Sequence, residues 1–371
     1  MLKKALALLL TVAMTASLFV GCGKKEENNG GAATTPGASG TQTGEAGLWS
    51  DYEIDLTNNL SNPNACDEAI AIYNWLLSIE GKYIISGQQE KCGDTTNDEF
   101  TYVKGLTDQL PALRGLDFIN GDYEGVVTRS IAWAKYNCLI SICWHMGVPG
   151  EVDAGYDSSK ATYAGLTEAL NDPNSEGYKQ IIADMDLAAE ALKKLQDEGI
   201  VVLWRPFHEF DGKWFWWGKD GGETFIKLWQ IMYDRYTNYH GLNNLIWVLG
   251  YTGNVTVGSP EWYPGDEYVD IIGADSYSDT AAENGYAGMY NKLEERLADT
   301  GKPSALHECG KIPTVAELQK NGVAWLWFLV WHSEYIDNED VNTIARVVST
   351  YQSDYVLTMA EMPDFDELLA K

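Results

Sequence analysis

A (β/α)8 TIM barrel built as one domain is the fold class this sequence predicts, on three observations. Eight short apolar segments recur between residues 83 and 331, helix-period segments separate them, and no breaker-rich linker interrupts the alternation. Such alternation argues a parallel sheet, and eight units in about 300 residues fit a closed barrel better than a doubly wound sheet.

The elements follow in order. Residues 67–80 carry Ile70, Tyr73, Trp75, Leu76, Leu77 and Ile79 and stop at Gly81, a helix with a glycine C-cap. Residues 83–87 (YIISG) form the first strand. A helix over 97–107 leads to the second strand at 110–118 (LPALRGLDF). A loop and helix over 122–136 lead to the third at 138–145 (CLISICWH). The Gly- and Asp-rich insertion 146–177 is too long for a routine connection and predicts a binding loop. A helix over 178–198 sets Ile181, Met185, Ala188, Leu192 and Leu195 on one face.

The fourth strand opens the stretch 200–218, IVVLWRPFHEFDGKWFWWG. Its β-branched run is that of a strand buried on both faces. A helix over 223–240 follows, then strands at 244–250 and 269–277 (VDIIGADSY). After a helix over 288–299 come strands at 304–309 (SALHEC) and 323–331 (VAWLWFLVW), and a last helix over 341–351.

The ends of the chain differ from its body. Lys3 and Lys4, the apolar run 5–20 and Gly21-Cys22 form a signal peptide over 1–21 whose Val20-Gly21-Cys22 resembles a bacterial lipobox. Cys22 is the expected site of lipidation, and 22–47, poor in large apolar residues, the expected flexible tether. The domain then spans 48–371. No later apolar run reaches the roughly 18 residues of a spanning helix, so contact with a membrane is expected only through Cys22, on the outer face of a bacterial cell.

The chain holds 26 basic and 54 acidic residues, a net charge of −28. A surface so acidic repels phosphate backbones and excludes nucleic acid, whereas a neutral polymer is not repelled. Five cysteines besides Cys22 leave at least one thiol free unless pairing is intermolecular, and Cys66 with Cys92 is the preferred disulfide.

The chemistry gathers where barrel strands end. Asp117 closes the second strand, Trp144 and His145 the third, His208 and Glu209 the fourth, Asp275 and Tyr277 the sixth, His307 and Glu308 the seventh, Trp331 and His332 the eighth. In such barrels the active site lies at those ends. Glu209 precedes a loop holding Phe210, Trp214, Phe215, Trp216 and Trp217, and a carboxylic acid in an aromatic-walled loop suits sugar-ring chemistry. Glycoside cleavage needs two carboxyls, one to protonate the leaving oxygen and one to attack carbon or activate water. Glu209 and Glu308 are that pair, and either alone has a structural reading as a salt bridge to Arg205 or Arg114.

RPFHE followed by the Gly-x-Trp-Phe-Trp-Trp-Gly loop, with LHECG on strand seven, resembles glycoside hydrolase family 26. GLDF, CWH, ADSY and the strand-eight Trp extend the resemblance over the domain. The family has His, not the wider superfamily's Asn, before the acid/base, here His208. The resemblance implies a retaining endo-β-1,4-mannanase acting on mannan, galactomannan or glucomannan, with Glu209 as acid/base and Glu308 as nucleophile. It implies that His208 meets a sugar hydroxyl, Tyr277 orients Glu308 and Trp331 lies under the cleaved sugar. His145 and Trp217 would line flanking subsites, with Trp214 and Asp275 as further contacts.

An acid working near neutrality should have a raised pKa, from apolar surroundings and the Glu308 charge. Arg205 or Arg114, with Tyr277, would keep Glu308 ionised. No cofactor or metal is expected, and the chain is expected to be a monomer. Three rivals stand beside this reading. Within the family these are β-1,3-xylanase or mixed-linkage glucanase specificity. A metal-dependent barrel hydrolase could use His145, His208, His307 and Asp117, though the His-x-His of strand one is missing. The last is a surface lipoprotein that captures glycan without cleaving it.

Overall fold

A computed structural model describes residues 48–93 and 95–370. The signal peptide, Cys22 and the tether lie outside the described residues. Eight parallel strands close into a barrel: β1 Ile84–Gln89, β2 Leu113–Asp117, β3 Leu139–Trp144, β4 Val202–Pro206, β5 Leu245–Thr252, β6 Ile271–Ser276, β7 Ser304–Cys309 and β8 Trp327–Val330. Neighbours in sequence are neighbours in the ring, and β1 joins both β2 and β8. A two-residue β9, Val356–Leu357, pairs with the foot of β1 below β2. The eighth strand is shorter than its apolar run suggests, because Trp325 and Leu326 pack as its approach.

Side chains alternate along each strand. One set faces the outer helices and joins a core through Ile142, Trp204, Trp247 and Phe328. The other points into the barrel, where Ile85, Leu113, Leu139, Leu203, Ile246, Ile271, Ala305 and Trp327 fill the lower layers. The helix Asp67–Ile79 lays Ala69, Ile70, Trp75 and Leu76 against that inner set. It closes the foot of the barrel, with the Cys66 N–H on Asn243 O at 2.9 Å and the Tyr73 hydroxyl on Asp270 O at 3.1 Å.

That placement corrects the expected Cys66–Cys92 disulfide. Cys66 sits at the foot, whereas Cys92 follows β1 at the opposite end, 4.0 Å from Asp117 Oδ2. The six residues of β1 rise roughly 20 Å between them, and a disulfide needs Cα atoms within about 7 Å. Cys66, Cys92, Cys138, Cys143 and Cys309 are all free.

Glycines make the barrel interior wide enough for polar side chains. A Cβ on Gly273 would stand 2.7 Å from His307 Nε2, and one on Gly115 would stand 2.1 Å from Gln89 Oε1. The insertion 146–177 folds as the short helices Tyr156–Ser159 and Leu166–Asn171 with connecting turns. Among the described residues no helix is long and apolar enough to cross a membrane.

Candidate active site

Glu209 owes its position to an irregular turn. β4 ends at Pro206, and Phe207 (φ 51°) and Glu209 (φ 54°) both take left-handed backbone, on either side of His208. Such conformations cost about 1–3 kcal/mol each at non-glycine residues, so the surroundings must hold them. The Glu209 N–H donates to Gly250 O at 2.7 Å and the Trp217 indole N–H to His208 O at 2.9 Å. Asp211, two residues beyond Glu209, accepts from the Thr252 N–H, the Thr252 hydroxyl and the Thr256 hydroxyl at 2.8, 3.0 and 2.7 Å. The turn is thereby tied to β5.

Glu308 is aimed by a register shift. Ala274 pairs with Leu306, but Asp275 pairs with Glu308, leaving His307 as an extra residue in β7. A bulge of this kind re-aims a side chain. Glu308 Oε1 accepts from the Arg205 guanidinium and Oε2 from the Tyr277 hydroxyl at 2.7 Å. Arg205 also donates to Asp275 Oδ2 at 3.1 Å. The carboxyl oxygens of Glu209, Asp275 and Glu308 come within 4.8 Å of one another.

The two glutamates differ in environment. Burial, then the Glu308 charge, push Glu209 up to about 7, against the Trp214 indole N–H that donates to Glu209 Oε2 at 3.0 Å. Glu308 instead accepts on both oxygens, from the Arg205 guanidinium and the Tyr277 hydroxyl. Burial works against the Arg205 charge, yet Glu308 and Asp275 outweigh it and hold the guanidinium protonated.

A histidine pair completes the floor. Asp117 Oδ1 accepts the His145 N–H at 3.0 Å and Oδ2 meets His145 Nδ1 at 2.5 Å. Burial pulls His145 down, but Asp117 overrides it and the imidazole titrates above its ordinary range. His145 Nε2 lies 3.2 Å from His208 Nε2. Burial, then Arg205, push His208 well below its ordinary value, so it is neutral and accepts from its neighbour.

These groups floor a cleft of 390 Å³ whose wall includes His145, Tyr156, Phe215, Tyr277, Trp331 and Tyr335 around Glu209 and Glu308. Sequence reasoning brought Glu209, Glu308, His145, His208, Tyr277, Trp331 and Trp214 to one place, and the structure assembles them there. Two of its residues stand elsewhere. Trp217 is fully buried behind Phe215, ring on ring at 4.5 Å, so Phe215 presents the aromatic face to the cleft. Asp275 lies beneath the floor and braces Arg205. Arg114 is also remote from Glu308: it pairs with Glu90 between the rings of Phe100 and Trp133. Sequence reasoning missed Tyr156, which reaches the cleft from the insertion, and Tyr335. Only the insertion's length pointed toward Tyr156.

Among the described residues, Arg205 is the only guanidinium paired with the buried carboxylates of Asp275 and Glu308. Arg205→Met is expected to lower the unfolding free energy at pH 7 by about 3–5 kcal/mol, because it strands those charges. Urea denaturation at pH 5, where protons can replace the lost cation, should show a smaller deficit.

Among the described residues, two clusters have metal-ligand chemistry: Glu209, Asp275 and Glu308, and Asp117, Cys143 and His145. Arg205 already bonds two carboxylates of the first, Asp275 and Glu308, and its guanidinium takes the place a cation would need.

The family model described as Glycosyl hydrolase family 26 matches residues 61–361. A mannan endo-1,4-beta-mannosidase of Thermothelomyces thermophilus is 36% identical over 334 residues, covering 85% of this chain and 65% of that protein. The solved GH26-CBM35 β-(1,4)-mannanase of Podospora anserina is 35% identical with a TM-score of 0.74, covering 84% of this chain and 70% of that one. A β-mannanase from a symbiotic protist of the termite Reticulitermes speratus, solved with gluco-manno-oligosaccharide, is 28% identical with a TM-score of 0.74, covering 84% and 99%. The chain spans 52% to 65% of the length of the first curated relatives it matches.

Proposed function

Since the chain belongs to glycosyl hydrolase family 26, we propose that it is an endo-β-1,4-mannanase that cleaves with retention of configuration. The observation that carries the reading is the spacing of Glu209 and Glu308, whose oxygens come within 4.8 Å. Retaining pairs stand about 5–5.5 Å apart, and inverting pairs about 6.5–9.5 Å, with room for a water. Glu209, protonated, gives its proton to the glycosidic oxygen as Glu308 attacks the anomeric carbon. Glu209 then takes a proton from the water that releases the glycosyl-enzyme. Tyr277 and Arg205 hold the Glu308 carboxylate in line, and His145, held by Asp117 and backed by buried His208, walls the cleft beside the sugar. Mannan as substrate rests on the names of the similar proteins, and tolerance of glucose units on the oligosaccharide in the termite-symbiont structure.

Digestion of mannan, galactomannan, β-1,3-xylan and lichenan tests the substrate. Short manno-oligosaccharides from the first two are expected. Release from xylan or lichenan alone would transfer the site to those polymers, and binding without cleavage would make the chain a glycan-capturing protein. Proton NMR of the first turnovers should show the β-anomer, and EDTA should leave the rate unchanged.

Trp214 gives a pH test. Its N–H favours the ionised form of Glu209, so Trp214→Phe should move the alkaline limb of kcat/KM upward by about 0.5–1 pH unit. A pH profile on an aryl mannobioside measures it, and an unmoved limb would separate Trp214 from the acid. We also propose lipid anchoring at Cys22, supported by Val20-Gly21-Cys22. Labelled palmitate should enter the wild type and not Cys22→Ala.

A further inference from the structure

We infer that Cys92, Asp117, Cys143 and His145 form a binding site for a soft divalent cation of the zinc class, and that an ion held there blocks one wall of the cleft. β2 and β3 place Asp117 beside Cys143, and His145 follows Cys143 by two residues, on the same inward face. Donor atoms of Asp117, Cys143 and His145 come within 4.8 Å of one another, and Cys92 Sγ lies 4.0 Å from Asp117 Oδ2. Two sulfurs, an imidazole nitrogen and a carboxylate oxygen are a tetrahedral zinc set and suit neither magnesium nor calcium.

Zinc bonds of about 2.0–2.3 Å set neighbouring donors roughly 3.3–3.8 Å apart, so the Asp117–His145 pair at 2.5 Å must open as its shared proton leaves, and Cys92 Sγ, 4.0 Å from Asp117 Oδ2, must draw in. Cys92 can supply that movement, since it lies in a turn beyond β1 and is only partly buried.

The proton balance is explicit. Cys92 and Cys143, which burial holds protonated in the free protein, each release the S–H proton. His145 releases the Nδ1 proton it shares with Asp117 and keeps one on Nε2, which donates to His208 Nε2. No electrons move. Two thiolates, one carboxylate and a dication leave one net negative charge, beside Arg205, the register partner of Cys143. Cys92, Asp117 and His145 all face the cleft, so an ion held among them, with Cys92 drawn in toward it, takes up space along that wall.

Binding does not depend on the proposed hydrolase activity; only the block of substrate rests on it. Cobalt titration of the full chain, reduced with a phosphine, should give a thiolate-to-cobalt charge-transfer band and tetrahedral d–d bands. Calorimetry with zinc should show one ion per chain, with at least two protons released. Loss of an outer-shell partner weakens metal sites about 10–100-fold, so Cys92→Ala and Cys143→Ala should each cost about 100-fold or more. Cys66→Ala, at the barrel foot, should cost nothing. Absence of the thiolate band, or wild-type zinc affinity in both cleft variants, overturns the site. Zinc should raise KM for manno-oligosaccharides with kcat unchanged, and EDTA should reverse it. Binding with unaltered hydrolysis overturns the block, whereas a chain that binds cobalt but cleaves no mannan refutes the hydrolase reading alone.

Discussion

Glu308→Ala is expected to leave the chain folded and to lower kcat/KM on galactomannan by at least about 10⁴-fold, because the proposed covalent step loses its attacking group. The fold should survive because Arg205 keeps Asp275 as a counter-charge when Glu308 leaves. The truncation also opens a space bordered by the Arg205 guanidinium and the Tyr277 hydroxyl, one cationic and one a donor. Azide is small, linear and anionic, and that space suits it. Added azide should restore part of the rate on an aryl mannobioside and give the α-mannosyl azide, inverted relative to the β-linked substrate. Glu308→Gln fills the same space with an amide and should be inactive without azide rescue. Chromatography and NMR of the product decide the matter. A normal rate in Glu308→Ala, or a β-azide from it, would remove Glu308 from the role of nucleophile.

Much of this was legible in the chain because barrel strands and their ends leave period and composition marks. Residues 304–309 read as a strand and are one. The polar endings at Asp117, His145 and Glu308 fall at the cleft because a parallel barrel puts every strand's C-terminal end on one face. What stayed hidden was set by tertiary packing. The β7 bulge that turns Glu308 inward depends on the pairing with β6, which no local pattern records. The left-handed backbone at Phe207 and Glu209 is an irregularity that sequence propensity argues against. Phe215 and Trp217 are both large aromatics two residues apart, and only the start of the short helix Trp216–Lys219 decides which one faces the cleft. The helix Asp67–Ile79 has the composition of an outer barrel helix, yet it closes the foot, so the Cys66–Cys92 pairing failed on topology.

Glu209→Ala should separate the two chemical steps. On the proposed mechanism the acid form of Glu209 drives leaving-group departure, so wild-type kcat/KM should fall as pH rises through about 7, to which burial and the Glu308 charge push its titration. Alanine has no proton to lose, and that alkaline limb should vanish. On mannan, whose leaving alkoxide needs protonation, the expected loss is about 10³-fold or more, within the range reached by general acid catalysis with its accompanying interactions. On a dinitrophenyl mannobioside the leaving group departs unaided, so the first step should persist. The second step then lacks its base and becomes slow, so a burst of phenolate equal to the enzyme present should precede a slow steady state with a lowered KM. Azide needs no base, and it should speed that second step and give the β-mannosyl azide. Opposite azide anomers from the Glu209 and Glu308 variants distinguish a double displacement from a single one, because only a covalent intermediate on Glu308 lets azide enter from the face that water uses.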